Sequence, residues 1–205
     1  MENSFENNVF INCPFDSEYF NLLKPLLFTV MACGFNPRIA LERFDSGESR
    51  IDKIRELIEE SRLSIHDLSR IKSTKRNELF RLNMPYEIGL DFGCKIYHTN
   101  TKYRKKKSLI LEGEKYSCQK ALSDIASSDV KCHDNDSEVL VSELRNWFAE
   151  LGRTDLKSGS SIWDDYNVFY TDFFVDRTSH GFKEKDIDSI PIPEFIGFIQ
   201  GYIDR

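Results

Sequence analysis

The chain has 205 residues, 40% of them hydrophobic and 30% charged, with a formal net charge of -6. That composition fits a soluble domain, or one domain with an elaboration, long enough to bury roughly 70% of its unfolded surface. The acidic balance argues against a protein that coats nucleic acid; five cysteines without CxxC spacing, no signal peptide and no unbroken membrane-length apolar run point to a reducing cytoplasm without structural zinc.

Residues 9–13, VFINC, form a candidate buried strand ended by Pro14. A helix is expected over residues 17–33, stopped by Gly34 and kinked or delayed by Pro25. Residues 38–41 read as a second strand. An acidic loop over 42–48 leads to a helix over 49–60, whose Ile51, Ile54, Leu57 and Ile58 make one apolar face. Residues 63–68 are the third strand. Residues 70–82 are polar and aperiodic and read as a mobile loop. The helix that follows opens at Pro85 and ends near residues 93–95. The basic run 102–107 reads as a solvated loop before a fourth strand at 108–111. A helix over 117–127, a fifth strand over 130–133 and an amphipathic helix over 137–151 complete the pattern.

Alternating β and α segments predict an α/β fold: a doubly wound, flavodoxin-like parallel sheet of about five strands, covered on both faces. Composition turns polar over residues 152–159. Residues 1–152 are therefore expected to form the α/β domain. Residues 153–205 form a helical, aromatic-rich C-terminal appendage, packed on the core or on a partner subunit.

In such a sheet, ligands bind at the carboxyl ends of the strands. Those ends supply Asn12, Cys13, Pro14, Phe15 and Asp16 after the first strand. Glu42, Asp45, Ser46 and Arg50 follow the second, and His66, Asp67 and Ser69 the third. The loop then delivers Asn83 and Glu87 to the same rim. Each has an ordinary structural alternative. With Met84 as N-cap and Pro85 opening the helix, Glu87 takes the third helical position, where a carboxylate favours the dipole; Asn83 is an equally good cap. On the residues alone, capping is the favoured role. Asp16 suits a cap, Asp45 and Ser46 a turn, His66 a satisfied core histidine and Cys13 a small buried residue. Asp67 is harder to place, because a carboxylate at a buried strand end needs a partner. The absence of GxGxxG, GxxxxGK[ST] and GxSxG weighs against an NAD-dependent dehydrogenase, a P-loop NTPase and an α/β-hydrolase.

The stretches VFINCPFDSEYFNLL, PRIALE and MPYEIGLDFGCK resemble the nucleoside 2-deoxyribosyltransferase-like superfamily and the related TIR-like domains, over about residues 9–132. The matching elements are Pro14-Phe15, Asp67, and Glu87-Ile88-Gly89 followed by Gly93 and Lys95. The stretch YSCQKALSDIASSDVKCHDND is similar to a recurrent part of bacterial proteins with this core. Arg81-Leu82-Asn83-Met84 stands where the transferases often carry Asp-Ser-Gly, which leaves room for a nucleotide with phosphates.

The resemblance implies that Glu87 attacks, or stabilises positive charge at, the anomeric carbon of a ribosyl group. Asp16, Asp67 or His66 would bond the sugar or base, and Arg38 or Arg50 would meet a phosphate. Gly89 and Gly93 would let the helix lie close to the sheet. The implied activity is cleavage of an N-glycosyl bond in a nucleotide, NAD favoured, or a nucleoside. NAD would be a substrate, with no cofactor and no metal. The implied partners are a small molecule and further copies of the chain, with no membrane and no nucleic-acid polymer. A role in bacterial phage defence or nucleotide signalling follows by analogy. The alternatives are a non-catalytic nucleotide sensor and an assembly domain.

Overall fold

In a computed structural model that describes residues 4–71, 82–123 and 128–205, two strands are buried along their whole length: β1 (Asn8–Asn12) and β3 (Leu63–Asp67). Burial of both strand faces is what a sheet with helices on either side demands. With β2 (Asn36–Ile39), β4 (Lys107–Glu112) and β5 (Val130–Cys132) they form an all-parallel sheet of order β2-β1-β3-β4-β5. The register sets Ile11 between Ile39 and Ile65, and Asn12 beside His66. This is the doubly wound, flavodoxin-like arrangement that the alternation predicted. Its order reverses between β1 and β3, where a crevice opens at the strand ends.

Among the described residues, α1 (Phe20–Ala32), α2 (Arg50–Glu59), α3 (Asn83–Tyr97) and α4 (Ser117–Ala121) cross over between successive strands, and α5 (Ser137–Glu150) follows β5. α1 packs against α5, and α2 against α3. α1 starts three residues later than expected, because Asp16 first closes a turn by accepting the Tyr19 N–H at 2.9 Å. Pro25 stays inside the helix. It has no N–H for the Asn21 carbonyl, which accepts from Ser137 Oγ at 3.0 Å instead. Gly34 ends this stretch at φ +82, with the Arg153 guanidinium 2.8 Å from where a Cβ would stand.

Some expectations are corrected. β2 lies two residues earlier than read, and Ala40–Glu42 is a single 3-10 turn. Ile51, the second residue of α2, is 42% exposed; Lys53, Ile54, Leu57 and Ile58 form the buried face. The basic run is not a solvated loop throughout. Thr101–Lys105 is a 3-10 segment, Lys106 is 1% exposed and Lys107 opens β4. The loop expected over 70–82 falls mostly outside the described residues, as does the end of the helix expected over 117–127.

The C-terminal part is helical: α6 (Gly159–Ser179), α7 (Glu184–Asp188) and α8 (Ile192–Ile203). The aromatic stretch is one face of α6. Ile162, Tyr166, Phe169 and Phe173 recur at helical spacing and are buried. Phe169 stacks on Phe28 of α1 at 5.3 Å and meets Phe195 of α8 at 5.7 Å. These residues share one apolar cluster with Leu23, Leu27 and Val30 of α1, so the appendage packs on the core. Lys24 is buried at this seam, with Nζ 3.2 Å from the Tyr170 hydroxyl and 3.8 Å from Asp188. Among the described residues, no helix is long and apolar enough to cross a membrane.

Phe169→Ala is expected to cost about 3–5 kcal/mol, the usual loss for a buried phenylalanine. Because α6 and α1 share a core, the loss should appear in a single denaturant transition followed by circular dichroism. Two transitions would mean that residues 153–205 unfold separately.

Candidate functional site

A cleft of about 670 Å³ opens at the carboxyl end of β1. Its walls come from three segments. The turn after β1 brings Cys13, Pro14, Phe15 and Asp16; the first turn of α2 brings Arg50; the start of α3 brings Leu82, Asn83, Met84 and Glu87. Asn12 closes its floor.

Glu87 is only 5% exposed. It does not cap the helix. α3 starts at Asn83, two residues before Pro85, so Glu87 is the fifth helical residue and the first turn carries no acid. The earlier start is allowed because Pro85 takes the third helical position, where its missing N–H has no intrahelical partner to lose. Among the described contacts, Glu87 Oε1 faces Arg50 at 3.4 Å. The Arg50 side chain is 55% exposed, and its guanidinium lies 6.0 Å from the Phe15 ring centre. Burial pushes the Glu87 carboxyl above the ordinary carboxylate range, and Arg50 only partly offsets this. The Cys13 thiol beneath is pushed up by burial and by the carboxylates of Asp67, Glu87 and Asp16, so it stays protonated and is a poor nucleophile.

Two polar networks underlie the cleft. In the first, Asp91 sits one turn after Glu87 on the same face of α3 and turns into the sheet. Its Oδ2 accepts from Ser64 at 2.6 Å, from His66 Nε2 at 3.1 Å and from Ser108 at 3.2 Å. Its Oδ1 faces Lys106 Nζ at 3.0 Å. The ammonium also donates to the carbonyls of Ile58, at 2.8 Å, and Ser61 at the end of α2. Asn12 Nδ2 donates to the Met84 carbonyl at 2.9 Å and to His66 Nδ1 at 3.1 Å, so Nε2 carries the hydrogen that His66 gives to Asp91. Burial raises the Asp91 carboxyl, but His66, Lys106 and Ser64 outweigh it and hold it well below the ordinary range.

In the second network, Asp67 is completely buried. It accepts from the Tyr19 hydroxyl at 2.5 Å, from His133 Nε2 at 3.1 Å and from the Ser69 N–H at 2.8 Å. These bonds outweigh burial and lower its pKa. His133 is oriented by the Asn135 N–H, which donates to Nδ1 at 3.1 Å.

The cleft thus gathers Asn12, Cys13, Pro14, Phe15, Asp16, Arg50, Asn83 and Glu87 from the residues read at the rim. The others do not line it. Arg38 pairs with Glu42 and Glu60, each at 2.8 Å. Asp45 and Ser46 lie in an exposed turn, where Asp45 Oδ1 accepts the Gly47 N–H at 2.8 Å. His66 and Asp67 are sealed in the networks, and Ser69 bonds back to Asp67. Gly89 and Gly93 do not bring α3 closer to the sheet. They face outward, and a Cβ at either would meet nothing within 4 Å. Sequence reasoning missed Asp91, Lys106, Tyr19 and His133. Only Asp91 left a signal, as an acid one helical turn from Glu87 in an otherwise apolar segment. Among the described residues, no group of three or more His, Cys, Asp or Glu is arranged to hold a metal.

Asp91→Asn leaves the Lys106 ammonium buried without its anion and is expected to cost about 3–5 kcal/mol in chemical denaturation. Asp91 and Asp67 have lowered folded-state pKa values, so the stability they contribute is fully present above the unfolded-chain carboxylate range and is lost as pH falls from there through their lower folded-state values. Acid unfolding of the wild type should therefore steepen below about pH 4, and less so in Asp91→Asn. Glu87→Gln should hold or raise the melting temperature at neutral pH, because a buried carboxylate with a raised pKa costs stability when ionised. A loss of ~1 kcal/mol would mark it as a cap instead. In comparisons with known proteins, no family model and no curated protein matches the chain.

Proposed function

We propose that the protein cleaves the N-glycosyl bond of a nucleotide, NAD before others, or of a nucleoside, with Glu87 as its catalytic carboxylate. The observation that carries this reading is the setting of Glu87. It is an almost fully buried acid at the wall of a crevice, serves no helix cap, and among the described residues is faced by one half-exposed cation. Breaking a C1′–N bond builds positive charge on the ribosyl ring. A fixed anion in a water-poor wall stabilises that charge or captures C1′ covalently.

NAD fits best on chemical grounds. The electron pair of its C1′–N bond neutralises the nicotinamide ring, so the leaving group departs without needing a proton. The carboxyls among the described lining residues are Glu87 and Asp16, and Asp16 is engaged by the Tyr19 N–H. Water, or the hydroxyl of another acceptor, then closes on C1′ and yields its proton to solvent. Arg50 would meet a phosphate of the substrate, which would draw it away from Glu87. Such an enzyme would work in the cytoplasm, where its substrate is, and a bacterial defence or signalling role belongs with this reading.

The test is incubation with NAD, NADP, deoxynucleosides and nucleotides, read by mass spectrometry. Wild type should release a free base, and folded Glu87→Gln should lose at least about 10²-fold in rate. Binding without any product would make the cleft a nucleotide sensor. The ionised form of Glu87 is the active one and burial raises its pKa, so activity should fall on the acid side at a pH above the ordinary carboxylate range. Removing the cation in Arg50→Ala should move that limb higher still.

A further inference from the structure

The outer face of α3 is turned away from the sheet, and Leu82 at its start also lines the cleft. Along it run Leu82, Tyr86, Gly89, Gly93 and Ile96, at alternating steps of four and three, with Tyr97 beside the last. The large members are open to solvent: Leu82 is 70% exposed, Tyr86 58%, Ile96 63% and Tyr97 83%. Exposed apolar side chains that follow one another along a whole helix differ from the scattered ones any surface carries. Beside the glycines lies a groove of about 340 Å³, floored by Ile58, Leu90 and Cys94 and rimmed by Arg55 and Glu59 of α2.

The glycines are the second observation. A glycine inside a helix is less stable than alanine there, and within this chain a Cβ at Gly89 or Gly93 would meet nothing. Close approach of another backbone from outside gives them a reason. Steps of four and three select a second helix at a shallow crossing angle.

We infer that this face is a homodimer interface, in which α3 packs antiparallel on α3 of a second copy. A two-fold axis across the helix, midway between the glycines, sets Gly89 against Gly93 of the other copy and Tyr86 against its Ile96. The same axis keeps α2 on the same side in both copies and reverses its direction. Arg55 of each then faces Glu59 of the other, so the mixed charge of the rim is complementary to itself. Leu82 belongs both to this face and to the cleft, so the far end of the second α3 comes to the cleft mouth. The inference does not depend on the proposed activity.

Sedimentation and light scattering of the full chain over a concentration series test it. Wild type should show twice the chain mass, dissociating on dilution. Gly93→Leu should be monomeric at concentrations where wild type is dimeric while keeping the wild-type far-ultraviolet circular dichroism, because a Cβ at this position meets nothing within 4 Å inside the chain. Arg55→Glu should weaken the dimer at least tenfold, and Arg55→Glu with Glu59→Arg should restore it. A monomeric wild type throughout, which would leave the face to a different protein, overturns the inference. So does a Gly93→Leu dimer as tight as wild type, which would place self-association elsewhere.

Discussion

An ammonium in a protein interior is tolerated only where its donors are used and an anion stands beside it. Lys106 meets that condition by joining three elements. It takes two carbonyls at the end of α2 and the Asp91 carboxylate of α3 from its place at the entry to β4. Asp91 in turn is held by Ser64 and His66 of β3 and by Ser108 of β4. The orientation of α3 against the sheet is set by this cluster rather than by apolar packing alone. Asn12 extends it to β1 through the Met84 carbonyl. Because Glu87 lies one turn from Asp91 on the same face, clamping Asp91 against the strands leaves Glu87 at their carboxyl end, facing the crevice.

Two buried acids, Asp67 and Glu87, sit in opposite electrostatic settings. Asp67 has three donors and a lowered pKa; nothing more can be asked of it without breaking those bonds. Among the described residues, Glu87 has one long contact, to a half-exposed arginine, and its pKa is raised. Divergent environments for neighbouring carboxyls are how proteins divide roles between identical groups.

The opposite face of the sheet meets a different constraint. α1 is buried on both sides, by the strands and by the C-terminal helices, which is why Lys24 and Pro25 sit inside an apolar helix. Lys24 finds the Tyr170 hydroxyl and lies 5.1 Å from the centre of its ring, and Ser137 fills the bond that Pro25 cannot make. The aromatics of α6 and α8 therefore complete the core instead of forming a second one.

The sequence by itself determined the architecture. Alternating apolar segments, broken by Pro and Gly, require a two-sided parallel sheet, because burial on each face is written into neighbouring residues at fixed periods. The same logic placed Cys13 to Asp16, Arg50 and Glu87 at one sheet end, since each directly follows a strand or opens a helix there. What only the tertiary structure decided are the pairings across long separations. Tyr19 and His133 meet on Asp67, and Lys106 turns inward to Asp91 although its neighbours are solvated. Arg38 closes on Glu42 and Glu60 instead of a ligand, and the glycines of α3 look away from the sheet. Periodicity reports which way a residue faces along its own element. Which polar group waits opposite depends on how elements distant in the chain are brought together, and no local pattern encodes that.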